Sequence, residues 1–477
     1  MTIQGIRCDR PLQFLSADEV ERIHRATLDV LATVGVRFEY EPALGTLQAG
    51  GCWVDLESRV VRFPAEVVEQ VIANCPARFV FRGRIAEFDV EFSPQTVLYA
   101  TGVGFALIDR LTGERRSATA ADMAEMVSLL DTLDNIDLIF DPLPYLADKP
   151  QLLNWEYKIA QYVKYARKPG LAPSPMGKID PKWQLLICEA AGRELLGDVT
   201  ASSPLAYAPS AARFIMLMAQ KGYPLAVYGG ATPGVSAPAT LAGSLVTQNA
   251  EVLAGIVLAQ LTRPGCRVLY GSYLLPMDMR IAAVVSGGIE NSLLYSATAQ
   301  IARRYHLPSL LVHPATDSKI PDEQAGYEKG IQWAVLTLSG LSCLGGAGQL
   351  ENSTLMSYVQ LMIDDEIIGM VKRLMGGIVV NDETLALDQI RAVGFFPRQY
   401  LATVFTKQWW KKEQYLTKIS DRHPYDAWQK RGAADVAARA QARLEELMKR
   451  VELHTLPETM CRDIDQVLEE AEKHEAG

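Results

Sequence analysis

A chain of 477 residues with 49% hydrophobic and 22% charged side chains has an ordinary globular composition, with room for one large barrel or two to three smaller domains. Its net charge of −9 argues against a nucleic-acid or anionic-membrane surface, which needs massed lysine and arginine. The seven cysteines, at 8, 52, 75, 188, 266, 343 and 461, form no C-x-x-C pair, and the six dispersed histidines form no H-E-x-x-H, so reduced cytosolic thiols are expected and a locally built metal site is not.

The N-terminus, MTIQGIRCDRPLQFLSADEVERIH, lacks the basic start and apolar run of a signal peptide. A helix is predicted from about Leu15 to Thr33 and another after Pro64, followed by short alternating strands in FVFRGR and FDVEFS. The segment TGVGFALIDRLTGERR leads to a helix at Thr119, where Asp122 completes a capping-box pattern. These elements describe an N-terminal α+β lobe over residues 1–133.

From Ile136 short apolar runs alternate with helical patterns. The runs are IDLIFDPL from 136, KPGLAPSP from 168, SPLAYAP from 203, PLAVYGG from 224, CRVLYGSYL from 266, SLLVHPATDS from 309, LSCLGGAGQL from 341 and GIVVNDE from 377. Between them lie the helical stretches 151–167, 181–195, 237–262, 288–305, 322–338 and 355–373. Eight such units have the rhythm of a (β/α)8 TIM barrel, here over residues 134–395. The weakly charged stretch 222–262 is interrupted by Gly, Pro, Gln248, Asn249 and Glu251, which speaks against a membrane span. A doubly wound open sheet is the rival topology, but no G-x-G-x-x-G follows the first predicted strand. Residues 396–477 are polar and helical and are read as a C-terminal cap.

In a barrel the reacting groups follow the strand ends. That rule selects Tyr145, Tyr207, Tyr228, Tyr270, Tyr273, His313, Thr316, Asp317, Lys319, Gln349 and Glu351 as a candidate substrate pocket, with no catalytic residue singled out. No G-x-S-x-G elbow and no phosphate-cradling G-x-x-x-x-G-K-[ST] loop is present. Tyrosine rings with a carboxylate beside them suit a cation that donates no hydrogen bonds, such as a quaternary ammonium; the same rings also suit plain packing. Asp317 equally fits a turn, and the glycines before Gln349 equally fit tight strand packing. Lys319 or His313 would meet a carboxylate if the ligand is a betaine.

The stretches TLAGSLVTQNAEVLAGIVLAQLTRPGCRVLYG, ARRYHLP, TDSKIPDEQAGYE, QLMIDDEI and ETLALDQIRAVG, with TGVGFALIDRLTGERRSATAADM before them and SDRHPYDAW after, resemble the trimethylamine methyltransferase family of corrinoid-dependent enzymes. The resemblance implies a TIM barrel and methyl transfer to a corrinoid, cobalamin-type, held by a partner protein. Founding members carry pyrrolysine in the barrel pocket, whereas this chain uses only the standard twenty residues. It is similar to the relatives acting on quaternary amines: glycine betaine foremost, then proline betaine, carnitine and γ-butyrobetaine. A quaternary nitrogen already bears its charge, so the enzyme's task reduces to positioning a methyl group and excluding water. The N-terminal lobe and Trp409, Trp410 and Trp428 are candidate docking elements for the partner, with packing inside the cap as the other reading, and a homo-oligomer is left open. The competing expectations are a non-catalytic quaternary-ammonium binding protein and a barrel lyase or hydrolase using His313, Asp317 and Glu351 around a metal.

Overall fold

The computed structural model describes residues 5–173 and 179–475. Local signals set the first helices. In α1 (Ala17–Thr33) the Ser16 hydroxyl accepts from the Glu19 N–H while the Glu19 carboxylate returns 2.8 Å to the Ser16 N–H. The same reciprocal cap, Thr119 with Asp122, starts α2 (Ala120–Leu130), and Arg116 braces it with two 2.7 Å bonds to Asp122.

The centre is a mixed α/β fold around a curled sheet of seven parallel strands: β1 (Thr96–Thr101), β2 (Leu171–Pro173), β3 (Leu196–Thr200), β4 (Leu225–Gly229), β5 (Val268–Ser272), β6 (Ser309–Leu311) and β7 (Cys343–Ala347). Their order is β1-β7-β6-β5-β4-β3-β2, with Ile6–Arg7 added antiparallel on β1. Single parallel bridges join Ala100 to Leu138 and Ile139 to Gly170, so residues 138–139 lie between the two ends of this order. Helices α3 (Asn154–Tyr165), α4 (Leu241–Thr262), α5 (Ile289–Arg304), α6 (Glu323–Leu338) and α7 (Tyr358–Met375) alternate with the strands. This is the βα alternation that parallel pairing requires.

Two runs read as barrel strands lie elsewhere. Ala206–Tyr207, inside the run from 203, pairs with Val36–Phe38 in a separate four-stranded sheet, and residues 377–380, in the run from 377, carry no strand. Two strands replace them. β1 falls within 1–133, the stretch read as a separate lobe, yet pairs with β7 through Leu98 and Cys343. β3, LGDVT, is interrupted by Gly197 and Asp198 and has no apolar run to announce it. Of the run from 168, residues 174–175 lie outside the described residues.

Alternation along parallel strands sends every second side chain inward. Leu98, Phe140, Leu196, Tyr228, Leu310 and Cys343 therefore share one buried cluster. The antiparallel pair Phe79–Phe81 and Val90–Phe92 gives Phe79, Phe81 and Phe92 to the same cluster, so the hairpin closes over part of the sheet interior. Helix α4 has the length and hydropathy of a membrane span but is mostly buried, with α1 on one side and the sheet on the other. Its polar residues are tied internally. Asn249 donates to Thr27 Oγ1 and Tyr305 Oη at 2.9 and 2.7 Å, and Glu251 accepts from Ser203 Oγ and the Leu205 N–H at 2.8 and 2.9 Å.

Gly271 on β5 lies where a Cβ would come within 2.5 Å of the Tyr228 ring. Gly271→Ala is expected to cost about 1–3 kcal/mol through overpacking. Urea unfolding should show a lower midpoint at unchanged slope.

Candidate functional site

Asp198 is the third residue of β3 and shares the inward face with Leu196, where it is 8% exposed. Tyr228 on β4 and Tyr273 just past β5 face the same interior, their rings tilted at 37° with centroids 4.8 Å apart. Their phenols are held well above the usual range, first by burial and then by the negative charge of nearby Asp198. Burial pushes the Asp198 carboxyl up to about 7, and Asp141 pushes it further the same way while Lys158 opposes. Asp141 follows residues 138–139, which make single bridges to either end of the strand order. Its Oδ2 lies 2.6 Å from Lys158 Nζ of α3, both side chains are buried, and its Oδ1 has no partner. Burial pushes Asp141 up and Lys158 down, each offset in part by the other's charge. Lys158 Nζ also sits 3.6 Å over the Trp155 ring.

Beyond these, His313 at the end of β6 stacks on Tyr295 of α5, centroids 5.3 Å apart at 28°. Burial, with Lys329's charge second, lowers His313 to about 3, so its imidazole is neutral near pH 7. His313 Nδ1, Tyr228 Oη and Tyr295 Oη are buried without a hydrogen-bond partner among the described residues. Buried polar atoms are normally satisfied, so this set has unused capacity for a ligand. The arrangement offers aromatic faces, a carboxylate inside them, and no paired nucleophile and base.

The residues selected by sequence divide into three groups. Tyr228, Tyr273 and His313 come together near Asp198 and Tyr295. Gln349, Asp317 and Glu351 lace loops: Gln349 Oε1 accepts from the Val103 N–H at 3.0 Å and its Nε2 donates to the Pro314 carbonyl at 3.1 Å. The Asp317 carboxylate accepts from the Ser286 and Gly287 N–H groups, Thr316 bonds Glu328, and Glu351 accepts from Thr354 Oγ1 at 2.6 Å. Tyr207, Tyr270, Tyr145 and Lys319 lie apart. Tyr207 stacks on Phe38 and donates to the Glu251 carbonyl, and Tyr270 donates to Asn249 on the helix side of the sheet. Tyr145 is exposed, and Lys319, also exposed, donates to the Asp317 carbonyl. His313 is thus neutral and Lys319 exposed, while Lys158 is buried and, among the described residues, donates to Asp141 alone. Of the two other buried lysines among the described residues, Lys168 donates to the Leu130 and Leu133 carbonyls at 2.7 Å each, and Lys329 is saturated by Gly346 O, Gln349 O and Asp364 at 2.8, 2.9 and 2.7 Å.

Asp198, Lys158 and Tyr295 escaped the strand-end rule, and Asp141, which fits it at the end of IDLIF, was passed over. Asp198 lies mid-strand, and Lys158 and Tyr295 lie on helices. A lone carboxylate between Leu196 and Val199, and Asp141 at the end of IDLIF, were the available signals. Among the described residues, no three His, Cys, Asp or Glu side chains gather as metal ligands would.

Because the folded Asp198 carboxyl titrates near 7 and an unfolded one near 3.8, the native state keeps a proton that the unfolded chain loses. Its contribution to stability therefore falls as pH rises from about 4 to about 7. Asp198→Asn is expected to exceed the parent by roughly 2–4 kcal/mol at pH 8, the gain vanishing toward pH 4. Urea unfolding of both proteins across that range measures it.

The family model described as trimethylamine methyltransferase (MTTB) matches residues 2–143 and 189–475. Trimethylamine methyltransferase MttB of Methanosarcina thermophila is 32% identical, over 95% of this chain and 96% of its own. Glycine betaine methyltransferase of Desulfitobacterium hafniense strain Y51 is also 32% identical, over 91% of this chain and 92% of that protein. Among solved structures, the monomethylamine methyltransferase MtmB of Methanosarcina barkeri superposes with a TM-score of 0.51 at 13% identity, covering 95% of this chain and 92% of its own, a likeness of fold. Sequence and fold agree: the chain belongs to the trimethylamine methyltransferase (MttB) family.

Proposed function

We propose that the chain moves a methyl group from a quaternary amine, glycine betaine foremost, to Co(I) of a corrinoid carried by a partner protein. Proline betaine, carnitine and γ-butyrobetaine fall within the same chemistry. The observation that carries this reading is the Asp198 carboxylate held beside Tyr228 and Tyr273 in a dry interior. A fixed cation is attracted by both the rings and the carboxylate and asks for no hydrogen bond in return. Similarity to a protein named glycine betaine methyltransferase supports the choice among amines.

The proposed barrel is completed by residues 137–140. Its support is the pair of bridges on either flank and the inward placement of Leu138 and Phe140 with the sheet's own interior residues. In that ring Asp198, Tyr228 and Tyr273 fix the ammonium and Lys158 takes a betaine carboxylate. One N-methyl is thereby left facing the open end, where a cytoplasmic corrinoid protein would dock. Attack comes on the methyl carbon opposite nitrogen. The C–N bonding pair stays on nitrogen, a neutral tertiary amine leaves, and no proton is transferred. Neutral His313 fits that scheme, since a second cation beside the substrate would oppose binding. The protein's contribution is orientation and exclusion of water.

With cob(I)alamin as acceptor, a panel of betaines is expected to give methylcobalamin and the matching tertiary amine, dimethylglycine from glycine betaine. Tyr273→Ala should weaken binding of the accepted amine by about 1–2 kcal/mol. Tyr270→Phe, on the other face of the same strand segment, should leave affinity unchanged. Methylcobalamin formed with none of the panel contradicts transfer. Binding without turnover points to a binding protein instead.

A further inference from the structure

Residues 376–413 form an excursion whose side chains are exposed or half-buried apart from Val393. The excursion starts at the end of α7, and α8 (Val404–Glu413) brings it back. Arg373 clasps its neck: Nη1 donates to the Gly377 carbonyl at 2.9 Å, while Nε and Nη2 donate to the Glu413 carbonyl at 3.0 and 2.7 Å. Beyond the neck the chain is anchored again, with Tyr415 Oη 3.3 Å from Glu366 and its ring laid over Gly369. Between residues 378 and 404, eleven large apolar side chains are each at least two-fifths exposed. Phe395 and Phe396 are 88% and 89% exposed, Ile378 87% and Leu401 79%. This leaves on the order of 1,000 Å2 of apolar surface in water, where a soluble monomer's largest patch is a few hundred. It matches what each partner of a permanent homodimer buries.

We propose that this arm is an exchange element that packs against a second copy of the chain. Three observations favour a second copy over the corrinoid carrier. First, the neck lies at the edge of the sheet opposite the site. Lys372, beside Arg373, donates to the Asn135 carbonyl just before the segment 137–140, at the N-terminal end of the strands, whereas parallel-sheet sites of this kind open at the C-terminal end. Second, the charges inside 378–404 nearly cancel, with Arg391 and Arg398 against Asp382, Glu383 and Asp388. That balance suits a self-complementary two-fold contact and provides no single-sign field for steering an unlike partner. Third, a carrier that comes and goes with each turnover would leave the arm bare between visits. A second copy covers it permanently.

Sedimentation velocity on the full chain tests this, with far-UV circular dichroism as the check on folding. The parent is expected to sediment as a dimer or a closed higher oligomer at micromolar concentration. The double variant Phe395→Asp, Phe396→Asp should dissociate at least tenfold more readily with unchanged secondary structure. A second variant, in which a short Gly-Ser linker replaces residues 379–402 and the Arg373 clasp is retained, should be monomeric. A monomeric parent, or two folded variants that keep the parent's mass, would overturn the proposal. The readout is mass, so it stands or falls independently of whether any amine is demethylated.

Discussion

One carboxylate in the wrong solvent organises this protein. Asp198 sits on the inward face of β3 among aromatic and aliphatic side chains, and none of the described residues donates a hydrogen bond to its carboxylate. Isolated charges are not tolerated in such surroundings, so the group either keeps a proton or meets a cation. Lys158 does not fully serve, because it is drawn 2.6 Å from Asp141. On the proposed reading the interior is short of positive charge, and the rings of Tyr228 and Tyr273 would restrict which cations enter. A hydrated ammonium would need donors satisfied that these faces do not satisfy, whereas a methylated one presents only C–H surface.

The surroundings exist to keep that interior fixed. Gly271 is bare so that Tyr228 can lie across it, and Gln349 pins the loops after β1 and β6 to the end of β7. Lys329, with all three N–H groups engaged, holds the same end of β7 to Asp364. Such ties place groups closely without taking part in chemistry. Stability is lost at Asp198 and regained across the rest of the buried network, the usual relation between a binding site and its scaffold.

What sequence could reveal here follows the range of the interaction concerned. The capping box at Thr119 spans three residues and was legible, as were the long helices with apolar stripes; the equivalent box at Ser16 was not read. Strand β1 fell between the strand pattern FDVEFS and the segment TGVGFALIDRLTGERR and was not read as a strand, its partner beginning only at Cys343. Strand β3 was hidden by Asp198, the residue that makes it important. Ala206–Tyr207 reads like its neighbours, since apolar content does not say which sheet a strand joins. The valine-rich run from 377 looks like a strand by composition, yet Ile378, Val379 and Val380 are exposed and pair with no described strand. Tyr270 and Tyr273 carry the same lesson at short range: three residues apart, they fall on opposite faces, one tied to Asn249 and the other facing Tyr228.

The most direct test of the central claim uses tetramethylammonium, the smallest fixed cation with no carboxylate, and counts protons. Calorimetric titration at pH 6.5 in two buffers of different ionisation enthalpy reports the protons exchanged on binding. If a cation replaces the proton on Asp198, up to about one proton is released at that pH and almost none above pH 8. Binding that releases no proton at either pH, or that is equally proton-linked in Asp198→Asn, would contradict the account.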